Sequence, residues 1–185
     1  MTYDGDETGA GPETAERQLR SLVQSIEGSH IGIFQRCIGM PGVAQKTSVP
    51  GLEPRPGILR WIEAGEDPMV YFVDECHRCG IQAWGSCRMN DAHHTYAGLD
   101  YSQSKFYKEH PELRLKSVPA HQLSATYDWN KPMIAEQHLA LLREVAETWD
   151  VDGIDLDYTR MPPYFNPDET EKGRDTMNQH LRNIR

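Results

Sequence analysis

Leu19, Leu22, Val23 and Ile26 recur at the i, i+3, i+4, i+7 spacing of one helical face, and Gly28 closes the pattern. HIGIFQRCIG follows as a short β-type run carrying Ile31, Ile33 and Phe34. Residues 40–57 are rich in proline and glycine and read as loop. A second helix is predicted from about Pro68, with Met69, Val70, Phe72, Val73 and Cys76 as its apolar stripe and Gly80 as its stop. IQAWGSCR is then a strand. Residues 89–131 form a long polar loop or insertion after this third strand, with LSATYDW as a short strand near its end. The next helix carries Pro132 in its first turn, Asn130 as its expected cap, and Ile134, Leu141, Leu142, Val145 and Trp149 on its buried face. VDGIDLDY is the strand after it. The stretch from Asn166 onward opens as a final helix, capped by Asn166 or Asp168, with Met177, Leu181 and Ile184 on its apolar side.

Strand and helix alternate, which implies an α/β fold with a parallel sheet and helical crossovers. The expected architecture is a (β/α)₈ barrel of the TIM type, present in part as a single domain over residues 1–185. A full barrel needs ~250 residues, so 185 hold about four βα units. The last helix reaches Arg185 without a glycine, proline or capping signal, so an N-terminal fragment is expected. Such a half-barrel leaves open edges and an uncovered apolar interior, and self-association through them is expected.

Composition narrows the partners. No window approaches the ~18 consecutive apolar residues of a membrane span, so no membrane partner is expected. The acidic N-terminus MTYDGDETGAGPETAERQL lacks the build of a signal peptide, which leaves the cytoplasm as the default location. A net charge of −9 without a basic run argues against nucleic acid. Cys76 and Cys79 form a C-x-x-C, but no second ligand pair of similar spacing accompanies them. Both fall in the last turn of a predicted helix. A structural role is therefore expected, with no cofactor and no metal.

Polar groups gather where the predicted strands end, the place where α/β sheets and barrels build their sites. Gln35 and Arg36 end the first of these strands. Arg88, Asn90, Asp91, His93 and His94 follow the second, and Asp155, Asp157, Tyr158 and Arg160 end the third. Period-two alternation puts Asp155, Asp157 and Thr159 on one face, toward a barrel axis, and Ile154, Leu156 and Tyr158 on the other. Carboxylates at i and i+2 lie about 6–7 Å apart, close enough to drive their pKa values apart and give an acid beside an ionised partner. Arg88 or Arg160 could instead hold both ionised. Asp155, the deeper one, reads equally well as structural, while Asp157 at the mouth reads as functional. Asp152 reads as a cap of the preceding turn. One of His93 and His94 is a candidate acid/base group or sugar ligand, and Tyr164 with Phe165 forms a candidate platform for a sugar ring.

WDVDGIDLDYTRMPPYF, together with CHRCGIQAWGSCRMNDAHH upstream, resembles the glycosyl hydrolase-like family ten, over most of the chain from about Asp4 to Arg185. That resemblance implies a (β/α)₈ glycosidase-like barrel. MTYDGDE would be the end of strand one, and residues 30–38, 81–88 and 152–158 strands two to four. DGIDLDYT is also similar to the D-G-x-D-x-D-x-E strand of chitinase-like barrels. Asp152, Asp155 and Asp157 match it, but Thr159 stands where the catalytic glutamate would be. This departure argues against substrate-assisted chemistry of the chitinase type.

The leading expectation is a glycoside hydrolase acting on a poly- or oligosaccharide, with Asp157 as acid/base or nucleophile and Asp155 tuning it. Arg88, Asn90, Asp91, one of His93 and His94, Tyr158, Arg160, Tyr164, Gln35 and Arg36 would contact the sugar. A carbohydrate-binding barrel without catalysis is the alternative that Thr159 favours. A metal-dependent hydrolase using Asp91, His93, Asp155 and Asp157 is the other. The isolated 185-residue chain is expected to be inactive as a monomer.

Overall fold

The computed structural model describes residues 1–4, 14–39, 42–90, 104–116 and 126–185. Four parallel strands form one sheet in the order β1 (Thr2–Tyr3), β2 (Ile33–Gly39), β3 (Gln82–Arg88) and β4 (Gly153–Asp157). Each strand stands beside the next one in sequence, and helices α1 (Ala15–Gln24), α3 (Pro68–Arg78) and α5 (Pro132–Thr148) carry the crossovers. A last helix, α6 (Thr170–Ile184), follows β4. The chain is thus mixed α/β with a four-stranded parallel sheet. Among the described residues no helix is long and apolar enough to cross a membrane.

Side-chain alternation sorts the sheet into two faces. Phe34 of β2 meets Phe72 of α3 edge-on at 5.4 Å, which marks the helix-covered face. Ala83, Cys87, Ile154 and Leu156 join that core, with Met69, Val73 and Cys76 from α3 and Leu141, Leu142 and Val145 from α5. Burial pushes the Cys76 thiol up to about 12, as suits a cysteine used as a small apolar side chain. Arg78 Nη2 donates to Cys79 Sγ at 3.0 Å, and no group of three metal-ligating side chains occurs among the described residues.

The local signals explain the helix starts. Thr14 caps α1 through a bond from Arg17 N, and Asp67 caps α3 through a bond from Met69 N at 3.0 Å. Glu75, 1% exposed, ties α1 to α3 by accepting from Arg20 Nη1 at 2.8 Å, Gln24 Nε2 at 2.7 Å and Arg78 Nε at 2.7 Å. Three charged or amide donors around one carboxylate offset the cost of burying it.

Several expectations change. A helix not anticipated, α2 (Pro56–Glu63), follows the proline-rich loop and buries Ile58 and Trp61 against Ala15, Leu19 and Ala44. The long segment after β3 includes α4 (Lys105–Glu109) and a 3₁₀ turn at Pro111–Leu113, and it buries Phe106 and Tyr107 in the core. LSATYDW is represented among the described residues by one antiparallel bridge, Arg114 to Tyr127, rather than by a strand. Asn130 does not cap α5: Lys131 occupies the cap position without a side-chain bond, and Asn130 Oδ1 accepts from Thr176 Oγ1 at 3.2 Å. Glu169, rather than Asn166 or Asp168, stands at the cap position of α6, and it makes no capping bond.

Where α5 meets α6, Trp129 is fully buried between two imidazoles, with ring centroids 4.6 Å from His138 and 5.0 Å from His180. Burial pushes the pKa of His138 down to about 4, against a bond from its Nδ1 to the Ile134 carbonyl, and it lowers His180 as well.

Candidate functional site

The face of the sheet away from the helices carries the chemistry. In-register neighbours share a face, so Gln35, Trp84 and Gly153 form one layer and Cys37, Ser86 and Asp155 the next. Arg88 and Asp157 form the layer nearest the C-terminal strand ends. Lying on an edge strand, Asp155 and Asp157 are half-buried.

Each carboxylate on this face has a defined partner. Ser86 Oγ donates to Asp155 Oδ2 at 2.9 Å, tying β3 to β4 through their side chains. Asp157 Oδ1 accepts from the Thr159 amide at 2.8 Å and from the Thr159 hydroxyl, so the strand ends in a turn folded around its own carboxylate. Arg88 Nη2 forms an ion pair with Asp4 Oδ1, just past β1. Arg88 therefore reaches across β2 to Asp4. Arg55, from the loop after β2, donates from Nη1 to the Asp4 carbonyl at 2.9 Å and approaches Cys37 Sγ with Nη2 at 3.8 Å.

The other candidates separate. Gln35 lies on the same face and accepts from Thr2 Oγ1 at 2.8 Å, one layer below Ser86 and two below Asp157. Arg36 faces the helices: fully buried, it donates from Nη1 to the Ala44 carbonyl and stands 3.4 Å from Met69 Sδ. Asn90 is 1% exposed and serves as a latch between backbones. Its Oδ1 accepts from Tyr127 N at 2.9 Å and its Nδ2 donates to the Pro163 carbonyl at 3.1 Å. Tyr158 packs on the helix side, where burial pushes its phenol up to about 12. Tyr164 lies 5.6 Å from the Tyr158 ring and 6.1 Å from Trp129, and its hydroxyl donates to the Arg160 carbonyl at 3.4 Å. Arg160 is half-buried in that exit turn. Phe165 packs over Gly173 of α6. Tyr164 and Phe165 thus pack inward instead of presenting a flat platform. Asp91, His93 and His94 lie outside the described residues.

Asp152 works at the opposite end of β4. Its Oδ2 accepts from the Ala83 amide at 2.8 Å and lies 2.9 Å from His77 Nε2, first the histidine and then the amide lowering its pKa. It is structural, but it fastens β4 to β3 rather than capping a turn.

Three residues on the candidate face were missed from sequence: Asp4, Ser86 and Arg55. Ser86 shares the parity of Arg88 and was readable by alternation. Asp4 follows a strand too short to show alternation. Arg55 sits in irregular loop, where no local pattern says which way a side chain returns.

No protein-family model matches the sequence. No curated protein matches it either, so the resemblance to family ten stays without a family-level counterpart. Solved structures do share the fold. A hypothetical protein from Ruminiclostridium thermocellum ATCC 27405 matches with a TM-score of 0.65 at 19% identity, over 100% of this chain and 90% of that one. The α-L-fucosidase isoenzyme 2 from Paenibacillus thiaminolyticus matches with 0.65 at 14% identity, over 100% of this chain and 29% of its own. A noncanonic maltogenic α-amylase from Thermotoga neapolitana matches with 0.53 at 17% identity, over 99% of this chain and 42% of its own. At these identities the likeness is one of fold, and it is a fold found in glycosidases.

Proposed function

We propose that the chain provides the first four strands of a (β/α)₈ glycoside hydrolase acting on a poly- or oligosaccharide, with Asp157 as acid/base or nucleophile and Asp155 supporting it. The observation that carries this reading is the gathering of Asp4, Arg88, Asp155 and Asp157 on one face at the strand ends. The likeness in fold to a fucosidase and an amylase supports the same chemistry. Hydrolysis by two carboxylates needs them about 5 Å apart for retention or about 6.5–9.5 Å for inversion, and the partner of Asp157 usually comes from another strand. The free edge of β4 is then where further strands complete the barrel, from additional chain or a second copy. Asp91, His93 and His94 join the sugar contacts in this reading, and a metal-dependent variant would draw on Asp91, His93, Asp155 and Asp157.

A second reading, sugar binding without catalysis, has its own support. The Thr159 amide and hydroxyl both engage Asp157 Oδ1, a use of that carboxylate as a turn former. Titration of a glycoside panel by calorimetry, with hydrolysis followed in parallel, separates the readings. Binding by the 185-residue monomer and turnover only by the completed barrel is the expected result. In that active form Asp157→Asn should cut kcat by roughly 10²–10⁴-fold while binding persists. Turnover unchanged by Asp157→Asn would overturn the assignment, and failure of every glycoside to bind would overturn the carbohydrate reading.

A further inference from the structure

A cavity of about 420 Å³ opens between α5 and α6, and none of its lining residues belongs to the strand-end face. Pro132, Ala135 and Leu139 of α5 give it an apolar wall. Polar groups come from Thr176, Gln179, His180 and Asn183 of α6, and carboxylates from Glu136 and Asp175. Its volume falls within the roughly 300–1,000 Å³ of small-molecule sites, which combine an apolar lining with a few polar groups.

Most of those polar groups are already satisfied. Thr176 Oγ1 bonds Asn130 Oδ1 at 3.2 Å. Gln179 Nε2 donates to Asn183 Oδ1 at 2.8 Å, and Gln179 Oε1 accepts from Arg182 Nη1 at 3.4 Å. Asp175 Oδ1 accepts from Arg174 Nε and Nη2, each at 3.3 Å. Arg174 also pairs with Glu171 at 3.0 Å, and neither arginine forms part of the wall. Two groups remain. His180 is 2% exposed, and among the described residues neither of its ring nitrogens has a hydrogen-bond partner. Glu136, exposed at the rim, has no ion-pair partner among the described residues. A buried imidazole left without a partner carries a cost that a ligand's polar group would relieve.

We infer that this cavity binds a small organic ammonium ion carrying an apolar body. An ammonium is donor-only, and both unanswered groups accept: Glu136 through its carboxylate, His180 through the unprotonated nitrogen of a neutral ring. Burial lowers the His180 pKa, so the ring is neutral at neutral pH. The apolar body of the ligand is released from water onto Pro132, Ala135 and Leu139. Charge decides against an anion, because a ligand carboxylate would meet Glu136 with no cation in the wall to answer it. A metal ion is a poor fit too, since no three metal-ligating side chains converge among the described residues. The inference stands apart from the carbohydrate reading and does not use Asp157.

The test titrates the 185-residue chain with probes of nearly one size that differ in charge: phenethylammonium, phenethyl alcohol and phenylacetate. Binding is followed by NMR, through the imidazole signals of His180 and the backbone amides of α5 and α6. Phenethylammonium should shift those signals saturably, with a Kd on the order of 1 mM or tighter. The alcohol should bind roughly threefold to tenfold more weakly, and phenylacetate more weakly still. Glu136→Gln changes an exposed side chain and should leave the fold intact, while bringing the ammonium and the alcohol to within a factor of about two. His180→Phe should weaken the ammonium roughly tenfold. Should that variant fold poorly by circular dichroism, Glu136→Gln alone decides. An alcohol or phenylacetate that binds as tightly as the ammonium overturns the inference. So does a Glu136→Gln protein that keeps the full preference for the ammonium, saturable binding that leaves the α5 and α6 signals unmoved, or the lack of saturable binding by any probe.

Discussion

The indole of Trp84 lies against Gly153, its in-register neighbour on β4, so closely that a Cβ at position 153 would fall 2.7 Å from the ring. An indole wedged in a sheet has no flexible end to move aside, so Gly153→Ala should destabilise the fold by about 1–3 kcal/mol. A Gly→Ala change without such a contact stabilises by about 0.4–1 kcal/mol through the unfolded chain. The sign of the shift in the urea midpoint therefore tests the contact, and a stabilised variant would refute it.

The buried imidazole of His138 makes stability depend on mild acid. Its folded pKa of about 4 lies below the ordinary 6.5, so between those values the unfolded chain binds a proton that the folded chain refuses. Stability is complete above pH 6.5 and falls as pH drops toward 4, by about 2 kcal/mol between pH 7 and pH 5. His180, shifted the same way, steepens the fall. His138→Phe should flatten the pH dependence of the unfolding free energy, and an unchanged slope would remove His138 from this role.

Asp152 sets a separate limit at lower pH. Its folded pKa is depressed, first by His77 and then by the Ala83 amide, so its contribution is present above the ordinary carboxylate pKa near 4 and is lost as pH falls through the folded value. With its side chain 34% exposed, solvent screening keeps the contribution at about 1 kcal/mol or less. Asp152→Asn should shorten the decline in melting temperature below pH 4 and leave the pH 5–7 region alone.

Asn90 should prove a stability residue. Replacing it by alanine strands the buried Tyr127 amide and the Pro163 carbonyl, at a cost of about 2–3 kcal/mol. Denaturation should show that loss while sugar affinity, measured on folded protein, stays within a factor of two or so of wild type. A loss of affinity at unchanged stability would return Asn90 to the sugar contacts.

Much of the sheet was readable because alternation is a local property. Phe34 and Ile38 already place Arg36 on the helix side by parity, so its burial beside Met69 was present in the sequence, outweighed by its nearness to a strand end. Asp155 and Asp157 were read inward by the same rule. What alternation cannot show is where a side chain's partner comes from when that partner is distant in sequence. Asn90 bonds residues 37 and 73 positions away, and Arg88 finds Asp4 84 positions back. Helix α2 escaped notice because Pro56 and Gly57 signal a turn, although proline is equally at home in a helix's first turn. Tyr164 and Phe165 look like surface aromatics until the chain turns back, which it does after Met161 at a φ of 51°.

The common direction of the four strands has a use for protein engineering. Every connection that leaves a strand's C-terminal end departs from the same edge of the sheet, while α1, α3 and α5 are packed along one of its faces. A loop exchanged after β2 or β3 would then have to keep the residues it sends back into the core, Val43 and Leu52 after β2 and Phe106 and Tyr107 after β3. The sheet is a chassis on which recognition can be exchanged piece by piece, with Ser86 and Asp155, and Asp152 below them, as the bolts to leave in place.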